Sequence, residues 1–336
     1  MITITSTRPG DQDFHMFTGL PSRIYPPDSL RFRMPDSIPI DFLRACYVLK
    51  DGDHAVARAS IYDNPLLKYQ GEHAFAIGNY ECADCDEYAS ELLAHMVSTV
   101  KSWGGKQLVG PMNGSTWEAY RFLADHQNPL FFTEPCHHLY YNAQFRMAGF
   151  EPIAQYYSNI DYGLEPDSPE ILLRERELRA LGVRIRAIDL ADFETEIGRV
   201  FDFNLLAFRK NFLYTPISRE AFMKKYRQTK DYINPELTLL AEDAAGNLIG
   251  YFFCIHDFYN VKNKSLIVKT LARHPDPVWR GLGHVIGNVI YRKAAELGYA
   301  SAIHSFIYEQ GTSTKLSANF SGIRYRNYVL YGKQLG

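Results

Sequence analysis

Apolar residues recur along this chain in two rhythms, every second position and every third or fourth, and the rhythms take turns. Residues 264–298 show both. The apolar run 265–272 predicts a strand, and His274-Pro275-Asp276-Pro277 then denies the backbone regular structure. Beyond Gly281, the residues Val285, Ile286, Val289, Ile290, Ala294 and Leu297 recur at three and four, the face of an amphipathic helix. Gly281 and Gly283 remove side chains where that helix begins. Its first backbone N–H groups, which lack intrahelical acceptors, then lie open to an anion, phosphate above all.

The rest of the chain falls into similar units. Residues 2–6 read as a strand, 21–39 as a proline-rich segment, and 45–49 and 55–62 as strands joined at Asp51-Gly52-Asp53. A strand at 74–80 precedes an amphipathic helix at 87–103, with Leu92, Leu93, Met96 and Val100 on one face and Gly104-Gly105 as its stop. A short strand at 107–109 enters Gly110-Pro111-Met112-Asn113-Gly114-Ser115-Thr116, which leads into a further expected helix. A helix at 139–148 and a strand at 150–162 close the first half. Pro166 and Pro169 mark a boundary, so the expected division is 1–162, a linker helix within 163–182, and 183–336.

After the boundary come a strand at 183–188, a helix carrying Phe193, Ile197 and Val200, and a second helix from Ser218. A hairpin at 237–255 turns at Ala244-Ala245-Gly246-Asn247. The 264–298 unit follows, then a strand at 300–307, a helix at 312–319 and a last strand at 323–331. The two halves share one order of elements. They read as a duplicated fold of mixed α/β class, with two packed domains.

Composition narrows the class. The chain has 336 residues, 46% hydrophobic and 22% charged, as a packed globular protein does. A formal net charge of -2 supplies no basic field for nucleic acid. No apolar run approaches the roughly 18 residues of a membrane span, and no charged-then-apolar leader opens the chain. The five cysteines are scattered, and Cys82-Ala83-Asp84-Cys85 has no second pair at zinc spacing. A soluble, cytoplasmic protein with reduced thiols and no metal is the expectation.

Arg280-Gly281-Leu282-Gly283-His284-Val285 resembles the pyrophosphate loop of GNAT-family N-acyltransferases, whose pattern is Arg/Gln-x-x-Gly-x-Gly/Ala. Arg280 and Gly283 match, and Val285 stands where a small residue is usual. The resemblance covers nearly all of the second half, and the first half only in its order of elements. It implies two tandem GNAT-like domains, the first degenerate. It also implies an acyl-CoA co-substrate, acetyl-CoA foremost, held by Leu271, Ala272 and Arg273 on the strand and by residues 280–285 of the loop. The acceptor would be an amine of a small molecule or peptide.

The family often places a Tyr four residues before the glycine that closes its last helix; here Ala318 stands there. Tyr325, Tyr328 and Tyr331 are the substitutes for protonating the leaving thiolate, with Tyr331 the candidate taken forward. Glu309 is the candidate base, with Glu242 and Asp257 behind it, and His256, His274 and His284 read as surface or packing residues. Residues 113–116 could line the acceptor pocket or cap a helix. Two other functions fit the same pattern: an aminoacyl-tRNA-dependent transferase of the doubled fold, and a non-catalytic CoA sensor.

Overall fold

The computed structural model describes residues 1–34, 38–311 and 322–336. The first half runs β1 (Ile2–Thr7), α1 (Phe14–Thr18), α2 (Pro21–Ile24), α3 (Leu30–Arg33), β2 (Leu43–Asp51), β3 (His54–Tyr62), β4 (Lys68–Tyr69) and β5 (Glu72–Cys82). It continues with α4 (Asp86–Ser102), β6 (Gln107–Gly110), β7 (Phe122–Leu123), α5 (Tyr141–Met147) and β8 (Glu151–Tyr162). A connecting helix α6 (Pro169–Ala180) leads to β9 (Arg184–Ala187), α7 (Phe193–Ala207), α8 (Arg219–Thr229), β10 (Thr238–Glu242) and β11 (Leu248–His256). Last come β12 (Ser265–Arg273), α9 (Leu282–Glu296), β13 (Ser301–Tyr308) and β14 (Ile323–Gln334).

Local chemistry accounts for the helix ends. Ser168 and Ser218 cap α6 and α8, their hydroxyls accepting the Ile171 and Ala221 N–H groups at 3.4 and 3.1 Å. Pro169 fills the first position of α6, where its missing N–H costs nothing. In α4 the predicted stripe of Leu92, Leu93, Met96 and Val100 is fully buried against the sheet, each side chain worth roughly 1.5–3 kcal/mol of transfer from water. The helix expected after Thr116 is absent. Residues 111–140 hold only the two-residue β7 among regular elements. Arg121 and Thr133 there have φ of 76 and 72°, and Pro129 and Pro135 bar helix continuation. The helix expected at 312–319, with Ala318, lies outside the described residues.

The strands join into one mixed sheet in the order β1-β2-β3-β5-β6-β14-β8-β13-β12-β11-β10-β9. Two short parallel pairings interrupt the antiparallel runs, β5 with β6 and β12 with β13. The closing strands are exchanged: β14 pairs with β6 of the first half, and β8 with β13 of the second, while β8 and β14 pair with each other. The boundary at 163–182 thus divides the chain but not the sheet. Cores flank the sheet, one under α4 and α5, one under α6 and α9, one under α7 and α8. No helix of the described residues is long and apolar enough to cross a membrane.

Candidate active site at the split between two parallel strands

β12 and β13 pair only from Ser265 with Ser301 to Val268 with His304. Beyond that point the strands part, and two irregularities open the gap. On β12, Val268 faces Cys254 and Thr270 faces Phe253, which leaves Lys269 as an extra, bulged residue. On β13, Ser305 and Phe306 interrupt the pairing with β8, and Phe306 adopts φ 59°. A bulky residue in that left-handed region costs on the order of 1–3 kcal/mol, so the surroundings must hold it there. The Phe306 N–H donates to Ser158 Oγ at 3.1 Å, and Ser305 Oγ donates to the Val268 carbonyl at 2.9 Å.

The gap widens into a cavity of about 720 Å³. Both halves build it: Thr116, Trp117 and Arg121 from the first, Tyr214 and Lys225 beside and on α8, and the split strands from below. His304 lies at the split. Its Nε2 is 2.9 Å from the Tyr291 hydroxyl, which donates to Asp161 at 2.9 Å, and burial pushes the imidazole down to about 4, so it is neutral near pH 7. Lys269 opens on the cavity. It is exposed there, yet the protein around it, then the charge of Lys225, lower its ammonium below the ordinary value. Lys225 itself pairs with Glu118 at 2.6 Å.

At the far end of β12, the loop 274–281 turns into α9. Gly281 occupies the N-cap with φ 85°, a conformation that favours glycine. His284 and Val285 already donate to the Gly281 carbonyl at 3.0 and 3.1 Å. The N–H groups without an acceptor among the described residues are therefore those of Gly281, Leu282 and Gly283, one turn edge rather than all of 282–285. No acidic residue stands in the first turn of α9. Arg174, from α6, donates to the carbonyls of Arg280 and Val278, each at 2.8 Å, and so pins the loop from outside.

No family model and no curated protein matches the sequence. Solved structures do match in shape. A GCN5-related N-acetyltransferase from Sphaerobacter thermophilus superposes with TM-score 0.56 at 12% identity, over 99% of this chain and 96% of the other. A tandem GNAT protein from the clavulanic acid biosynthesis pathway gives TM-score 0.55 at 12% identity, over 100% and 99%. A glucosamine N-acetyltransferase region in a fungal multi-domain β-N-acetylglucosaminidase gives 0.58 at 11%, over 99% of this chain; this chain spans 38% of that one. The chain has the tandem GNAT fold.

Within the tandem GNAT frame, the residues singled out from sequence fall in different places. Leu271 lines the cavity, and Ala272 is buried two residues from the loop. Arg273 donates to the carbonyls of His274 and Asp276 at 2.7 and 3.3 Å, which turns it onto the loop. Arg280 is exposed beside it. Burial, then the charge of Arg273, lower the imidazole of His284. Thr116 reaches the cavity. Asn113 instead accepts the Asn79 N–H at 2.9 Å, and Ser115 the Trp117 N–H at 3.3 Å.

The acid and base candidates are elsewhere. Glu309 is exposed and outside the cavity lining, its backbone N–H tied to Gln155 at 3.0 Å. Tyr331 is buried in the α4 core, its hydroxyl donating to Asn142 at 3.1 Å. The hydroxyls of Tyr325 and Tyr328 are held by the Pro129 carbonyl and by Glu134. Asp257 accepts two backbone N–H groups, from Phe132 and Tyr259. Burial would raise the Glu242 carboxyl, but hydrogen bonds from Arg186, Arg184 and Arg199 hold it down at about 2. The groups that do face the cavity, Lys269, Tyr214, Tyr308 and Arg121, were missed. Lys269 carried one signal, a lone charge inside the apolar run 265–272.

Proposed function

We propose that this protein is an acyl-CoA-dependent N-acyltransferase, with acetyl-CoA as donor and a small-molecule or peptide amine as acceptor. The observation that carries the reading is the split of β12 from β13. It leaves one edge of residues 269–273 without a strand partner, with the open helix end of α9 at one side and the cavity at the other. A phosphate-bearing donor fits such an end: three N–H groups meet no acceptor among the described residues, and the helix dipole favours negative charge. The named activities of the structures it resembles point the same way.

In the reaction, a neutral amine attacks the thioester carbonyl; the C–N bond forms as the C–S bond breaks, and the amine's proton is lost as the thiolate gains one. Lys269, on the bulge where the strands part, takes the amine's proton in place of Glu309, since it faces the cavity and its ammonium is lowered below the ordinary value, which favours the neutral form that acts as base. Tyr214 and Tyr308, whose phenols burial keeps protonated, supply the proton to the thiolate in place of Tyr331. The five free thiols suit a reducing compartment such as the cytoplasm.

Calorimetric titration of the full chain with acetyl-CoA is the test. One site per chain is expected, followed by acetylated product when amines are added. Absence of binding at millimolar acetyl-CoA overturns the proposal. Lys269→Gln should lower turnover well beyond its effect on acetyl-CoA affinity, and Glu309→Gln should change neither.

A further inference from the structure

We propose, resting on the acyl-transfer reading above, that the acceptor is an amine that also bears a carboxylate on an aromatic or apolar body, and that Arg121 is the partner of that carboxylate.

The charge on the cavity wall is one-sided. Three basic side chains line it, Arg121, Lys225 and Lys269, and no aspartate or glutamate among the described residues does. Lys225 is answered by Glu118 at 2.6 Å. Arg121 is answered by no carboxylate among the described residues. It is 7% exposed, and its guanidinium lies among three rings, with centroids at 3.7 Å for Tyr120, 4.3 Å for Tyr156 and 4.7 Å for Phe306. Its Nε donates to the neighbouring Tyr120 carbonyl at 3.2 Å, and Nη1 is buried with no acceptor.

Ring faces offset part of the cost of burying a guanidinium, but a buried charge without a counter-ion remains expensive. A ligand carboxylate accepts from the guanidinium fork and removes that cost on binding. A further buried group of the lining, Thr133 Oγ1, lacks a partner among the described residues and can donate to an oxyanion. The remaining wall is dominated by rings, among them Trp117, Phe212, Tyr226 and Phe253, which suit a flat or apolar body.

Arg121 also meets the reacting strand, through the ring of Phe306 on β13. A carboxylate held there shares the cavity with the bulge at Lys269. The cationic wall disfavours a protonated amine, so an acceptor binds with its nitrogen more readily neutral, the form that attacks. The same wall repels polycations.

The test is calorimetry on the full chain with a charged and neutral pair, 3-phenylpropionate and 3-phenylpropionamide, without CoA. The carboxylate should bind about tenfold to a hundredfold tighter, the ratio expected of a buried charged hydrogen bond. Arg121→Gln should abolish that preference and leave the amide's affinity in place. Equal binding, a preference for the amide, or no binding of either overturns the inference, and these wild-type comparisons hold even if the variant fails to fold. Tighter binding of benzylphosphonate than of the carboxylate overturns the assigned anion. Turnover separates the two readings. With acetyl-CoA, phenylalanine should be acetylated ahead of phenethylamine. The reverse order sinks the inference and leaves acyl transfer standing, whereas a carboxylate preference in binding with no acetylation of either amine defeats the acyl-transfer reading and the acceptor role with it.

Discussion

The two halves carry one backbone plan, and their strand-to-helix junctions put it to opposite uses. In the second half β12 passes through an eight-residue loop to α9, whose first turn holds glycine and no acid. In the first half only three residues link β5 to α4, whose first turn opens with Asp86 and Glu87. Those carboxylates answer the positive end of the helix and repel any phosphate. The strand end is also filled from within. Glu81 accepts from Arg31 at 2.7 Å and from the hydroxyls of Tyr25 and Tyr141, each at 2.8 Å. Tyr25 stacks on His138 with centroids 4.5 Å apart. The N-terminal arm thus supplies, as side chains, the polar partners that a ligand would bring to an open junction. A duplicated fold can keep both halves stable while leaving only one of them open.

The largest effect should come from unplugging the closed junction. Glu81→Gln leaves Arg31, and Arg58 at 3.7 Å, facing a neutral amide in a buried site. Breaking one partner of such a cluster costs about 3–5 kcal/mol. Denaturant unfolding should show that loss, while acetyl-CoA binding to the folded variant stays unchanged. A parallel loss of acetyl-CoA affinity would place the donor in the first half and break the comparison.

In the second half one buried carboxylate, Glu242 on β10, is held by Arg184, Arg186 and Arg199. Its folded value of about 2 lies below the ordinary 4.5. A depressed carboxyl contributes stability that is fully present above the unfolded value and is lost as pH falls through the folded one. The window is therefore about pH 4.5 down to 2, and the contribution is on the order of 3 kcal/mol. Glu242→Gln should be destabilised at pH 7 and show a flatter loss across that window in urea titrations. An unchanged slope would mean that the arginines do not act on this carboxylate.

Which parts of this contrast were legible follows from the range of the forces involved. The helices at 86–102 and 282–296 announce themselves by local period, as do Gly281 and the two acids of α4. The exchange of β8 and β14 does not, because an alternating strand reads the same whichever neighbour it pairs with. Residues 304–308 line the cavity, but β13 ends at Tyr308, and Glu309 falls in the exposed turn beyond it. Arg121 sits in a stretch that reads as helix, and only the tertiary fold shows it buried among rings.

A sharper probe of the open junction is Gly281→Val. A branched residue at φ 85° is strained by about 1–3 kcal/mol, and its Cβ would stand 3.0 Å from Arg174 Cγ. The turn must shift, and the affinity for acetyl-CoA should fall about tenfold or more by calorimetry. The matching N-cap of α4 is Cys85, at φ -149°, which accepts a branched residue without strain. Cys85→Val should leave the affinity alone. Equal effects at both positions would show that general stability, and not the open helix end, was being measured.

The smallest effect expected is at Arg174, which braces the open junction from outside. Its Nε and Nη2 bond the carbonyls of Arg280 and Val278, while Nη1 pairs with Glu177 at 2.7 Å. The pair with Glu177 is partly exposed and three residues apart on one helix, so it adds little. The carbonyl bonds matter more, since they fix the loop that presents Gly281. Each is worth about 0.5–1.5 kcal/mol at most, and less where water can replace it. Arg174→Ala should therefore weaken acetyl-CoA binding only a few-fold, with a smaller change in the urea midpoint. A lysine offers a single ammonium and cannot span both carbonyls with a planar fork, so Arg174→Lys should recover only part of the loss. If alanine lowers stability and leaves the affinity untouched, α6 is packing alone. If the affinity falls and stability does not, the connecting helix belongs to the donor site, and the open junction is shaped by three segments of chain where the closed one is filled by two.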